Sequence, residues 1–263
     1  MRPILASLFC ASLLCFCGTV RAAEHFSPVV VFAEAGFPLA DTTAPSPQQL
    51  QTLLPGARFA SAEQLPSWLK DSTTRLLALP YGSAFPESAW PDIHAFLQRG
   101  GNLLVLGGRP FTRAAYRDAT GWKLRDYSVR FARAIMIDQY QITHGSDGLQ
   151  FQTNPEIPLS LPAFHWRNAF SPIVRLSAVD LYKRGGSAGS IDARLDALAW
   201  GVKDGRKLAA PALQIDHLRN GFDGGRWIFL NADLTDFYGT SAAAKMIQDL
   251  AEIALRGSEE FSV

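Results

Sequence analysis

The chain has 263 residues, 48% hydrophobic and 19% charged, with a formal net charge of +1. That length and composition fit one medium globular domain with a real core, or one domain carrying a large insertion. The near-neutral balance, without a run of Lys and Arg, removes the electrostatic case for nucleic-acid binding.

The chain begins with a targeting pattern. Arg2 precedes an apolar run over 4–17, small residues follow, and Val20-Arg21-Ala22 stands before Ala23. Positive start, short apolar stretch and small-residue cleavage site are the three parts of a secretory signal. The run is too short for a stable membrane anchor. The pattern therefore predicts a signal over 1–22 and an exported mature chain, periplasmic or extracellular. Cys10, Cys15 and Cys17 are the only cysteines and all lie inside it. The mature protein is then cysteine-free, which excludes zinc–thiolate sites and cysteine nucleophiles. Losing Arg2 and Arg21 also moves the formal charge from +1 to −1.

Val29-Val30-Val31-Phe32-Ala33 is a continuous apolar run, the pattern of a strand buried on both faces. Pro47 opens a short helix that Pro55-Gly56 stops, Ala57-Arg58-Phe59 is a brief strand, and 61–69 reads as a helix interrupted at Pro66. Arg75 to Pro80 is a strand. Pro86 opens a helix with Trp90, Ile93, Phe96 and Leu97 on one face. Gly100-Gly101 caps it, and Asn102 to Leu106 is the next buried strand, closing at Gly107-Gly108. Strand, helix and strand in that order predict a right-handed parallel crossover.

From Trp122 the pattern changes. Phe131 to Ile142 and Ile173 to Tyr182 read as extended strands. Leu195 to Val202 and Lys207 to Ile215 flank Asp204-Gly205, a hairpin signal. Pro211 places the second of these strands at an edge or at a bulge. Trp227 to Asn231 is a further buried strand. Thr240 caps a terminal helix that turns Met246, Ile247, Leu250, Ile253 and Ala254 inward and ends at Gly257. The expected fold is a three-layer α/β sandwich with a mainly parallel sheet over 23–257, a β-rich insertion at about 122–215 and a tail at 258–263.

Two segments carry a family resemblance. Leu76-Leu77-Ala78-Leu79-Pro80-Tyr81-Gly82 with Asn102-Leu103-Leu104-Val105-Leu106-Gly107-Gly108 resembles the core of class I glutamine amidotransferase-like (flavodoxin-like) domains. Gly224 to Asn231 plus the terminal helix is similar to that superfamily's last strand and helix. More narrowly, the chain resembles the non-catalytic amidotransferase-like domain that precedes the catalytic domain in some bacterial secreted glycoside hydrolases, and β-galactosidase trimerisation domains. Active members carry a cysteine at the turn after the strand matching Leu103 to Leu106. Here that turn reads Gly107-Gly108-Arg109-Pro110, and Arg109 is no nucleophile, so the resemblance implies a domain without glutaminase activity.

Ligands in open α/β sheets collect outside the carboxyl ends of the strands. Glu34, Tyr81, Gly107, Gly108, Arg109, Asn231 and Asp233 fall at such ends, and Asp216 and His217 end an apolar strand. Glu34 facing Arg109 makes an ion pair in the vacated position, and a repurposed pocket and a ligand site both fit this set. Asp216 with His217 has the chemistry for acid–base work. Neighbours on a strand point to opposite faces, however, which favours structural pairing to Arg219 or Arg226. Gly185-Gly186-Ser187-Ala188-Gly189 matches the nucleophile-elbow string, but Lys183-Arg184 is a poor end for a buried strand and a Gly/Ser loop explains it as well. His165-Trp166 suits a sugar-stacking surface or the core. No cofactor or metal ligand set is implied.

These readings put first a non-catalytic accessory or assembly domain of the extracytoplasmic carbohydrate-processing type, partnered by copies of itself or by a glycoside hydrolase catalytic domain. The alternatives are a small exported hydrolase acting on glycosides or esters, and a carbohydrate-binding module.

Overall fold

The computed structural model describes residues 27–144, 148–157, 166–174, 193–219, 221–234 and 237–258. The targeting segment, the Ser187 string and His165 lie outside them. The chain is a mixed α/β structure built on one large, mostly parallel sheet. Strands β1 (Val29–Phe32), β2 (Arg58–Ala60), β3 (Leu76–Leu79), β5 (Asn102–Leu106) and β13 (Arg226–Leu230) run parallel in the order β2-β1-β3-β5-β13. Every residue of β1, β3, β5 and β13 is buried. That is why these segments read as unbroken apolar runs rather than alternating ones.

Alternate residues of these strands feed two separate cores. Val30, Phe32, Leu77, Leu79, Leu103, Val105 and Phe229 pack with helices α2 (Leu65–Lys70) and α3 (Trp90–Gln98). Val29, Val31, Leu76, Ala78, Leu104, Leu106 and Leu230 pack with α1 (Pro47–Leu53) and the terminal helix α5 (Ser241–Arg256). Helix α5 is capped by Thr240, whose Oγ1 accepts from the Ala243 N–H at 3.1 Å. It buries Ala243, Met246, Ile247, Leu250, Ala251 and Ala254, the spacing of one helical face. Helix α1 opens on a reciprocal Ser46–Gln49 capping box.

Two local expectations change. Pro66 sits in the first turn of α2, where its missing N–H costs nothing, so it starts that helix rather than interrupting it. Pro86 ends a short strand, β4 (Ala84–Pro86). A 3₁₀ turn (Glu87–Ala89) follows, and it is Pro91 that occupies the first turn of α3.

The segment read as an insertion divides. Strands β6 (Arg113–Asp118) and β7 (Gly121–Leu124) form a hairpin that joins β4 in a three-stranded sheet. Where one extended strand was expected from Phe131, Arg130–Ala134 is instead a single helical turn, α4, before β8 (Ile137–His144). Strand β10 (Trp166–Val174) begins earlier than expected and pairs antiparallel with β8 and with β14 (Ala232–Leu234).

The Asp204-Gly205 hairpin forms as expected between β11 (Ala193–Lys203) and β12 (Arg206–His217). Both turn residues have positive φ, 51° and 73°, which a two-residue primed turn requires. This hairpin continues the main sheet: β12 pairs antiparallel with β13, β11 with β12, and β9 (Gln150–Thr153) closes the edge. Strand β12 is therefore interior. Pro211 is accommodated by register shifts in the β11–β12 ladder around Ala199, so the bulge alternative holds and the edge alternative does not.

Candidate functional site

Because β1, β3, β5 and β13 run parallel, the residues that follow them share one edge of the sheet. Glu34, Tyr81, Gly107, Gly108, Arg109 and Asn231 are all brought there. Asp216 and His217 are not. Strand β12 runs the other way, and Asp216 stands opposite Arg226 at the start of β13, on the amino edge.

Arg109 is the centre of the carboxyl edge. Its Nε pairs with Asp41 Oδ2 at 3.0 Å, and its backbone N–H donates to Ser83 Oγ at 2.6 Å. Ser83 Oγ in turn donates to the same Asp41 oxygen at 2.8 Å. The guanidinium carbon lies 4.6 Å from the Tyr127 ring and 5.4 Å from the Phe170 ring, distances at which a cation is attracted to an aromatic face. The expected Glu34–Arg109 pair is replaced by this Asp41–Arg109 pair. Glu34 is held elsewhere: its Oε2 accepts from the Ala62 N–H and its backbone N–H donates to Tyr81 Oη, both at 3.0 Å.

The backbone beneath Arg109 is closed by the same loop that supplies Asp41. Gly107 and Gly108 have φ of 83° and 65°. A Cβ on Gly107 would run into the Thr42 side chain, and one on Gly108 into the backbone nitrogen of Ser83. Gly107 N–H donates to the Leu230 carbonyl at 2.7 Å, which fastens the turn to β13. A side chain that needed to project from this turn as a nucleophile has no room at 107 or 108, and at 109 it is an ion-paired guanidinium.

The other groups at this edge are buried or half-buried. Burial raises the Tyr81 phenol above its ordinary range and raises Tyr140 well above it. Tyr140 Oη donates to the Pro110 carbonyl at 2.9 Å. Asn231 is fully buried; its carbonyl accepts from Phe170 N–H, while neither atom of its side-chain amide has a hydrogen-bond partner. Asp233, in β14, is buried close enough to Tyr238 that its charge adds to burial in raising that phenol. These phenols, held above their ordinary range by burial, position backbone and fill space rather than move a proton near neutral pH.

On the amino edge, Asp216 is fully buried and bound by three side chains. Arg226 Nε and Nη2 reach it from β13, Arg194 Nη2 from β11 at 2.8 Å, and Gln214 Nε2 at 3.0 Å. Arg226 is one of the two structural partners anticipated from sequence. His217 points to the opposite face, its ring centroid 3.8 Å from that of Trp227 at a 49° tilt and 5.5 Å from that of Phe222. Neither of its ring nitrogens has a hydrogen-bond partner, and burial lowers its pKa to about 3. Asp216 and His217 therefore form no dyad. Among the described residues, no three His, Cys, Asp or Glu side chains come together as a metal cluster.

Sequence reasoning missed Asp41, Thr42, Ser83, Tyr127 and Phe170. Asp41 lies 68 residues from Arg109 in a Pro-rich loop, and no local spacing signals such a partner.

Fold and site together define a mixed α/β domain whose strand-end position is occupied by its own loop. No family model matches the chain, and no curated protein matches it. Solved structures overlap it loosely. A β-galactosidase from Rahnella sp. R3 is 12% identical with a TM-score of 0.43, over 86% of this chain and 31% of that one. An exo-β-1,4-mannosidase from an Opitutaceae bacterium is 12% identical with a TM-score of 0.42, over 88% and 36%. A ThuA-like protein from Bacteroides uniformis is 12% identical with a TM-score of 0.38, over 83% and 87%. The chain spans about a third of the two hydrolases it overlaps. Overlaps this loose assign it neither an activity nor a substrate.

Proposed function

We propose that this protein is a non-catalytic accessory or assembly domain of the extracytoplasmic carbohydrate-processing type, with the three-layer amidotransferase-like architecture and an N-terminal export signal. The observation that carries the reading is the clamp at the turn after β5. Arg109 stands where active relatives of the resembled superfamily have their sulfur, paired to Asp41 and Ser83, with Thr42 packed against Gly107. A carboxyl edge closed in this way has exchanged a reactive group for a structural lock. The family resemblance of 76–108 and 224–231 supplies the association with glycoside hydrolases, and a further copy of the chain or a hydrolase catalytic domain is the expected partner.

Light scattering coupled to size-exclusion tests the assembly role. An oligomer, or a complex with a co-expressed glycoside hydrolase domain, is the expected result. A strict monomer that binds no such domain refutes it. A panel of chromogenic glycosides and esters tests the catalytic alternative: no turnover above buffer is expected, and turnover that survives purification and disappears on a single side-chain substitution would show an enzyme instead.

A further inference from the structure

The amino edge of the sheet holds a hollow of about 450 Å³ that the accessory role does not use. It lies between the ends of α2, α3 and α5 and the turns that enter β3, β5 and β13. Its charged side chains are Lys70, Arg75, Arg99 and Arg256, against a single carboxylate, Asp71. That is a strong local excess of positive charge in a chain whose formal net charge is only +1. The excess is built into the fold. Arg99 Nη2 donates to the Leu69 carbonyl and its Nη1 to the Ala95 carbonyl, while Arg75 Nη2 donates to the Leu255 carbonyl. Helix C-termini fix both guanidinium groups at the rim.

Those helix ends also carry partial negative charge, at most about half a unit each for a long helix. Helix α2 has only six residues and α3 nine, so their ends contribute less, while the sixteen-residue α5 contributes close to the full half unit. Asp71 is already engaged by Arg58 at 2.9 Å and by the Thr73 N–H and hydroxyl. The three arginines, Arg75, Arg99 and Arg256, outweigh this opposition even with Lys70 paired to Asp92, and the hollow remains electropositive. Arg256 is exposed, so its head stays free to turn inward. Lys70, paired with Asp92 at 3.0 Å, is itself so exposed that the pair is worth little and can be exchanged for a ligand. A volume of this size falls in the range of small-ligand pockets.

We propose that this hollow is a binding site for an oxyanion-bearing ligand: a phosphate or carboxylate group, taken either as a free small anion or as the acidic unit of a saccharide. Arg75 and Arg99 form the fixed wall, Arg256 and Lys70 the mobile one, and the Ser72 and Ser258 hydroxyls lie within the same lining. The site is on the edge opposite Arg109 and is independent of the accessory reading.

Calorimetric titration of the full chain at low ionic strength, where screening is weak, tests it with inorganic phosphate and with trigalacturonate. The variants are Arg256→Gln and the double Lys70→Gln/Arg256→Gln. Neither touches the arginines that cap helix ends, and circular dichroism checks folding. Arg206→Gln, at the exposed hairpin turn far from the hollow, controls for net charge. Saturable binding of at least one probe, weakened about tenfold or more by the double variant and unchanged by Arg206→Gln, is the expected result. Binding of phosphate assigns the site to small free anions, and binding of trigalacturonate without phosphate assigns it to acidic saccharides. Absence of saturable binding by both probes, or equal weakening by Arg206→Gln, overturns the proposal.

Discussion

At position 107 the backbone is left-handed and the Thr42 side chain stands where a Cβ would go. Gly36 has a similar φ, 69°, but nothing lies within 4 Å of its Cβ position. Alanine at either residue pays the left-handed penalty of about 1–2 kcal/mol. Only at 107 must it also displace the loop that carries Asp41. Gly107→Ala is therefore expected to cost at least about 2 kcal/mol more than Gly36→Ala in urea unfolding; equal costs would mean that Thr42 is not seated there. Asp41→Ala attacks the same lock from the other side. It leaves a largely buried guanidinium without its carboxylate and the Ser83 hydroxyl without its acceptor. The expected loss is about 1–3 kcal/mol, with faster amide exchange at Thr42 and Arg109. Unchanged exchange at both amides would show that the clamp does not hold the loop.

At the level of elements, legibility followed locality. Strands β1, β3, β5 and β13 were readable because strands buried on both faces have no polar residues to interrupt the run. Helix α5 was readable because its cap, its buried face and its terminal glycine agree. The single helical turn α4 was not: five residues carry no period, and the surrounding Phe131, Ile135 and Ile137 resemble a strand. The candidate site was legible only in part. The residues that end the parallel strands lie at one edge, whereas Asp216 and His217 were grouped with them because strand direction is not written in composition. The short connection from β12 to β13 was the available clue, since a short link implies antiparallel neighbours. The clamp itself depends on partners far apart in sequence. Asp216 shows what the antiparallel arrangement achieves instead. It ties β11 through Arg194 to β13 through Arg226, which also reaches the Ile253 carbonyl of α5 at 3.3 Å. Asp216→Ala strips the carboxylate from a buried Arg226 and is expected to cost about 3–5 kcal/mol, read as a lowered Tm and loss of cooperativity. A loss below about 1 kcal/mol would show that solvent replaces the pairing.

For the molecule as a whole, His217 sets how the fold responds to acid. Its ring is fully buried, packed at a tilt against Trp227 beside Phe222, with no hydrogen-bond partner for either nitrogen, so a proton there has nothing to stabilise it. Burial therefore lowers its pKa from 6.5 to about 3. With the folded value below the unfolded one, the unfolded chain takes up a proton as pH falls through about 6.5 while the native chain does not. Stability from this group is complete above about pH 6.5 and declines on acidification by about 1.4 kcal/mol per pH unit until the native pKa is reached. By pH 4.5 the loss amounts to about 2–3 kcal/mol. His217→Phe keeps a flat ring against Trp227 and removes the titration. Whatever packing cost the larger ring adds is the same at every pH, so the slope of stability against pH is the quantity to compare. Urea unfolding at half-unit steps from pH 7 to pH 4 should show a clearly shallower acid limb in the variant. Parallel curves for the two proteins would mean that the native structure opens to let the imidazole protonate, and that the Phe222 turn yields before the sheet does.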